Sequence, residues 1–160
     1  MPRISYQAQS VTPFNQSLFL TYVKEQVALG QLALTDADMA LLRILLVDAS
    51  EGQAWVLTEN GVPCGFAVCG FLLSVAAGGR IAVFDFLHVP NGLASPLAWV
   101  TLLARIEDDL RTLDIHQMVV DVQTQEHAKK TALIERAFLT LTPVTMKKSL
   151  TVDDQQGDLE

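Results

Sequence analysis

The fold of this chain is decided by residues 81–120, which read IAVFDFLHVP NGLASPLAWV TLLARIEDDL RTLDIHQMVV. Residues 81–89 are almost entirely apolar and predict a strand. The pair Ser95-Pro96 is typical of a helix start, because proline suits the first helical position. Apolar residues then recur at spacings of four, three, four and three, which predicts one buried helical face: Trp99, Leu103, Ile106, Leu110 and Leu113. Another strand is predicted over 116–123, so this stretch is a strand–helix–strand crossover.

A hairpin is predicted immediately upstream. Asn60-Gly61 separates two apolar runs, and both residues tolerate the positive φ of a two-residue turn. The runs predict strands at about 53–58 and 63–75. Gly78-Gly79 marks a second turn that leads into the strand at 81–89.

The N-terminal part predicts one strand and two helices. Alternation over 3–9 predicts the strand. Thr12-Pro13 predicts the start of a helix that fades near Gly30. A second helix is predicted from Thr35 to about Asp48, with two acids in its first turn, where they suit the helix dipole.

The C-terminal part predicts a helix at 126–137 and an extended segment or hairpin at 138–152. The order β-α-α-β-β-β-α-β-α-β(β) is that of an α+β domain with a mixed sheet. We expect one domain over residues 1–150. Residues 151–160 contain four of the 18 acids and predict a flexible acidic tail.

Composition narrows the class of protein. Half of the 160 residues are hydrophobic and 18% are charged, which excludes general disorder. A net charge of −7 argues against nucleic-acid binding, which needs clustered Lys and Arg. The start lacks an apolar signal core, so we expect a cytoplasmic protein. The uncharged stretch 61–79 raises the question of a membrane span, but Pro63 and several glycines favour buried strands.

Three short motifs in this order resemble the GNAT superfamily of GCN5-related N-acetyltransferases. The turn followed by Gly65-Phe66-Ala67 is similar to the third strand of that family. The run Phe86-Leu-His-Val-Pro90 is similar to the end of its fourth strand, and Ala137-Phe138 occupies the place of its Gly-Phe pair. The resemblance implies a mixed, mostly antiparallel central sheet with helices on both faces and splayed fourth and fifth strands. It also implies acetyl-CoA or another acyl-CoA as co-substrate.

The phosphate-binding loop of the family is poorly preserved. Family members use a Q/R-x-x-G-x-G/A loop whose glycines let backbone N–H groups approach the phosphates. One alignment places that loop on 94–99, where Pro96 removes a donor and Leu97 and Trp99 replace the glycines. A shifted alignment places it on 89–94. By resemblance, the candidate cofactor-binding residues are Leu87, Val89, Asn91, Gly92, Ala94, Ser95, Leu97 and Ala98.

Two residues of the fourth strand are candidates for catalysis. The resemblance implies a general base on this strand, and Asp85 or His88, on opposite faces by strand alternation, would supply it. The alternative for Asp85 is a structural role, with a backbone hydrogen bond or a salt bridge to Arg80 or Arg105. The tyrosine that serves family members as general acid on the fourth helix is absent, and Leu133 stands at that position.

For the other histidines, cysteines, aromatic residues and lysines we expect structural roles. The three histidines and the two cysteines show no metal-ligand spacing, so no metal is expected. Cys64 and Cys69 should face opposite sides of a strand as small buried residues. Phe84, Phe86 and His88 should share one face. The pair Lys129-Lys130 should be solvated, with phosphate binding as the alternative.

Three functional hypotheses follow. The first is an N-acyltransferase that moves an acyl group from acyl-CoA to a small-molecule or peptide amine. The second is a non-catalytic GNAT-fold protein that binds another small ligand or self-associates as a homodimer through the apolar segment 93–100. The third is an unrelated α+β binding domain. None of the three calls for a nucleic-acid or membrane partner.

Overall fold

The computed structural model describes residues 3–90, 96–123, 125–139 and 148–150. The elements follow the predicted order: β1 Tyr6–Ser10, α1 Gln16–Ala28, α2 Asp36–Val47, β2 Gly52–Glu59, β3 Val62–Ser74, β4 Gly79–His88, α3 Pro96–Thr112, β5 Gln117–Val120 and α4 His127–Glu135. The predicted tail at 151–160 and most of the predicted segment at 138–152 lie outside the described residues.

The five strands form one sheet in the order β1-β2-β3-β4-β5. The first three pairings are antiparallel, and β5 joins β4 in parallel after the α3 crossover. The α+β class and the mixed, mostly antiparallel sheet are therefore confirmed.

The hairpin between β2 and β3 turns at the predicted residues. Asn60 and Gly61 have φ of 49° and 84°, the left-handed values that a two-residue hairpin turn requires. Glu59 pairs with Val62 directly beside the turn. Local turn chemistry thus sets the start of the longest strand.

Helices cover both faces of the sheet and bury two separate cores. On one face, α1 and α2 pack through Phe19, Tyr22, Val23, Met39 and Leu42 onto alternate residues of β2 and β3. On the other face, α3 and α4 pack onto the opposite residues of the same strands. Apolar residues on both sides explain why β2 and β3 read as nearly continuous hydrophobic runs.

The buried face of α3 differs from the prediction at its C-terminal end. Trp99, Leu103, Ile106 and Leu110 are buried as expected. Leu113 is 44% exposed because α3 ends at Thr112, and Leu102 on the same face is fully buried.

Different side-chain hydrogen bonds fix the first residues of α1 and α2. α2 begins as predicted: Thr35 and Asp38 form a reciprocal capping box. α1 begins later than predicted. The Asn15 side chain accepts a hydrogen bond from the Thr12 N–H and donates to the Ser10 carbonyl, which holds residues 12–15 in a turn before the helix.

No helix among the described residues is long and apolar enough to cross a membrane, and residues 62–74 of the uncharged stretch form β3.

Candidate functional site

The fourth and fifth strands separate halfway along β4. Their parallel pairing runs from Ile81 opposite Gln117 to Phe84 opposite Val120, and β5 ends there. β4 continues to His88, and in that part its pairing partner among the described residues is β3. The splayed strands implied by the family resemblance are therefore present, and residues 85–88 border a gap in the sheet.

A β-bulge lies where the separation begins. Cys69 of β3 pairs with Phe84, whereas its neighbour Val68 pairs with Phe86. Asp85 is thus the extra residue of the pair. Such a bulge bends the strand and redirects the side chains that follow it.

The bulge places neighbouring aromatic residues on opposite faces. Phe84 stacks on Trp55 on the α3 side, with ring centroids 6.1 Å apart. Phe86 packs on Phe66 on the α1 side at 5.8 Å, and His88 lies on the same ring at 5.6 Å. The expectation that Phe84, Phe86 and His88 share one face is therefore wrong for Phe84, because the extra residue reverses the alternation.

Asp85 is exposed at the bulge and has no partner among the described residues. The salt bridges considered from the sequence are not formed, because Arg80 donates to the Ser50 carbonyl and Arg105 pairs with Asp109. Partial desolvation raises the pKa of the Asp85 carboxyl above its ordinary value. An unpaired carboxylate at the separation point is available to a ligand.

His88 is half-buried and hydrogen-bonded. Its Nε2 lies 3.1 Å from Oε1 of Gln26 on α1. Burial lowers the pKa of the imidazole, and the ammonium of Lys129 lowers it further, while Glu126 acts in the opposite direction. The site therefore favours a neutral histidine near neutral pH.

Two residues of α1 were not singled out from the sequence. Gln26 is 6% exposed, and Tyr22, one turn earlier, is 5% exposed. The Tyr22 ring meets Phe66 edge-on at 6.1 Å, and its hydroxyl has no hydrogen-bond partner among the described residues. Burial raises the pKa of that hydroxyl, so it stays protonated. In the sequence, the only indication of these two residues was the polar Gln26 inside the apolar stripe of α1.

The predicted cofactor-binding residues divide into three groups. The side chains of Leu87 and Val89 are buried in the α3-side core, which leaves only their backbone for a ligand. Leu97 is 55% exposed on the first turn of α3, whereas Ala98 is fully buried. Four others lie outside the described residues: Asn91, Gly92, Ala94 and Ser95.

Near the gap, α4 carries a charged side chain and lacks the tyrosine general acid that the family resemblance implies. Leu133, at the position of the family's tyrosine, is buried in the α3-side core. Lys129 is ion-paired with Glu126 at 3.4 Å, and its side chain is largely buried, while Lys130 is exposed. The expectation of two solvated lysines therefore holds for Lys130 only.

The cysteines are buried, as expected, but both lie in the α3-side core. The register of β2 and β3 slips between Leu57 and Thr58, which makes Cys64 an extra residue and turns it to the side of Cys69. The prediction of opposite faces is therefore wrong. Desolvation raises the pKa of the thiols, to about 11 for Cys64 and about 12 for Cys69. Within the described ranges, no three potential metal ligands converge.

Comparison with known proteins shows the fold. No family model and no curated protein matches the chain. Among solved structures, integron cassette protein HFX_CASS3 from the mobile metagenome of Cole Harbour Salt Marsh is 16% identical, with a TM-score of 0.74 over 91% of both chains. Aminoglycoside N-acetyltransferase AAC(6')-Iy, solved in complex with CoA, is 12% identical, with a TM-score of 0.72 over 94% of this chain and 99% of that one.

A third likeness extends the same pattern. Ribosomal-protein-alanine N-acetyltransferase from Brucella melitensis biovar Abortus 2308 is 13% identical, with a TM-score of 0.64 over 91% of this chain and 100% of that one. The chain thus has the fold of the GNAT acetyltransferases, and the family resemblance of the sequence is confirmed at the level of the fold.

Proposed function

We propose that this chain binds an acyl-CoA in the gap between β4 and β5 and transfers the acyl group to an amine by direct attack. The observation that carries the proposal is the bulged β4, whose edge at 85–88 is left without β5. An extended ligand such as a pantetheine arm can pair with a free strand edge through its amides. The solved AAC(6')-Iy complexes, one with CoA and one with a CoA-linked bisubstrate analogue, support this choice of ligand.

The reaction needs a donor for the carbonyl and an acceptor for a proton. In this proposal the backbone N–H of Leu87 or Val89 donates to the thioester carbonyl oxygen and stabilises the developing charge. The amine loses a proton to Asp85 or His88 and bonds to the acyl carbon. The carbon–sulfur bond breaks, and the thiolate leaves and is protonated.

A second candidate function is supported by the start of α3. Pro96 supplies no N–H, and Trp99, which replaces a family glycine if the loop falls on 94–99, is 3% exposed in the core. Leu97 and Val100 are 55% and 42% exposed. These residues favour a non-catalytic protein that binds another ligand or self-associates through this turn.

The test is a thermal-shift titration with acetyl-CoA, CoA and acetyl-pantetheine. At a hundredfold excess over Kd, binding to the folded state adds about 2.7 kcal/mol. This corresponds to a rise in Tm of about 5–10 °C for a chain of this size. Acetyl-pantetheine separates pairing along β4 from phosphate binding, because it lacks the nucleotide.

The outcomes separate the two candidates. A rise with acetyl-CoA supports acyl transfer, which is then followed as thiol release with a panel of primary amines, using Asp85→Asn and His88→Gln as variants. No shift at millimolar coenzyme would favour the second candidate. In that case, a sedimentation coefficient that falls in Leu97→Glu would indicate self-association.

A further inference from the structure

Gln26 is the one buried polar or charged residue among the described parts of the chain. It lies on the face of α1 that covers the sheet, one turn after Tyr22. Burying an amide is unfavourable unless it is hydrogen-bonded. Its Oε1 meets Nε2 of His88, 62 residues away, at 3.1 Å.

This contact determines which nitrogen of His88 holds the proton. An amide oxygen only accepts, so with Oε1 facing the ring, Nε2 carries the hydrogen. In a neutral imidazole, Nδ1 then keeps the lone pair. Burial and the Lys129 ammonium both lower the pKa of His88, which favours this neutral form.

We propose that Gln26 is a positioning residue for acyl transfer, holding His88 with its proton on Nε2 so that Nδ1 is the base that takes the proton of the attacking amine. This inference rests on the proposed function and assigns the base to His88 rather than to Asp85. The amine nitrogen bonds to the acyl carbon as its proton passes to Nδ1. The departing thiolate then takes a proton from the imidazolium, which restores neutral His88.

The surroundings of His88 support a chemical role. It is the last residue of β4 and lies in the part of that strand that does not pair with β5. Gln26 faces it from α1, Phe66 packs against its ring at a tilt, and Lys129 of α4 and Glu126, the residue before α4, act on it. Lys129 and Glu126 form an ion pair at 3.4 Å and act on the pKa of His88 in opposite directions, whereas Gln26 makes the hydrogen bond that selects the tautomer.

The buried hydroxyl of Tyr22 is a second polar group on this face of α1. It belongs to the same face of α1 and touches Phe66, whose pairing partner in the sheet is His88. A buried donor without a partner costs about 1–3 kcal/mol, a cost that a ligand atom would remove.

The experiment is ¹⁵N–¹H NMR of the imidazoles between pH 4 and 9, with His116 and His127 as internal references. The variants are Gln26→Met, which removes the acceptor, and Gln26→Glu, which keeps it and adds charge. Exposed Gln31→Met is the matched control. We expect Nε2–H in the native chain, loss of that preference in Gln26→Met, and a pKa of His88 raised by about 1–3 units in Gln26→Glu.

Two results would overturn the proposal: Nδ1–H in the native chain, or an unchanged tautomer in Gln26→Met. The acetyl-CoA titration is read separately on the same samples. If the coenzyme does not bind while the Nε2–H form is present, the proposed function fails and Gln26 has only a structural role. If the coenzyme binds, the acid limb of kcat/KM against pH should move upward in Gln26→Glu and stay in place in Gln31→Met.

Discussion

Deleting Asp85 should convert the bulged β4 into a regular strand. The bulge arises because Phe84 and Phe86 of β4 pair with two consecutive residues of β3, so Asp85 between them is an extra residue. Phe84 and Phe86 already lie on opposite faces, so removing the residue between them leaves every following side chain on its present face. Leu87 and Val89 would then stay in the α3-side core, in which they are 4% and 6% exposed.

The burial of these two residues sets the size of the effect that a change of face would have. Full burial of a leucine or valine side chain stabilises by about 1.5–3 kcal/mol, so turning both out of the core would cost about 3–6 kcal/mol. A domain of this kind is stable by about 5–15 kcal/mol in total. Deleting Asp85 should cost less than about 3 kcal/mol, because both side chains stay buried, and it should not cause the fall in Tm of about 6–24 °C that the loss of both would cause.

Urea unfolding followed by tryptophan fluorescence measures this change, because Trp55 and Trp99 are both buried. The control is Asp85→Ala, which keeps the extra residue and removes an exposed side chain without a partner. It should alter stability by less than about 0.5 kcal/mol. A loss of about 3–6 kcal/mol in the deletion variant would refute the bulge, because deleting a residue from a strand without a bulge would turn both residues out of the core.

Four further predictions concern the scaffold. Gly52→Ala should lower stability by about 1–3 kcal/mol, because its Cβ would overlap the Cys69 carbonyl oxygen, whereas Gly70→Ala has no atom nearer than 3.8 Å and should leave the urea midpoint unchanged. Thr35→Ala should cost about 0.5–2 kcal/mol by removing the α2 cap, and a midpoint equal to the native one would contradict that role. The backbone and side-chain hydrogen bonds of Thr35 lower the pKa of Asp38. The stability that the Asp38 carboxylate contributes is therefore present above the ordinary pKa of an aspartate and is lost as the pH falls through the lowered pKa. In Asp38→Asn, the free energy of unfolding should fall less steeply as the pH is lowered. Finally, burial raises the pKa of Cys69 to about 12, so a thiol reagent at pH 8 should label it only at the rate of unfolding, and rapid labelling of the native chain would contradict its burial.

Much of the candidate site could be predicted from the sequence in outline. The crossover from β4 through α3 to β5 follows from the strand at 81–89, the Ser95-Pro96 start and the helical period that contains Trp99. The choice of Asp85 and His88 followed from family resemblance. Their surroundings could not be predicted, because Gln26 is far away in sequence and meets His88 only when α1 packs on the sheet.

The sequence by itself determined the elements and their order, because periodicity, caps and turns act over a few residues. Asn60-Gly61 selects its turn through its allowed φ, and Thr35 with Asp38 caps a helix whatever lies across the molecule. Only the tertiary structure decided the register of the strands. The extra residues Asp85 and Cys64 depend on which residues pair across the sheet, and that pairing is set by the packing of two opposite cores. Local patterns carry no information on such pairing, since the same apolar run fits either face of a sheet that is buried on both sides.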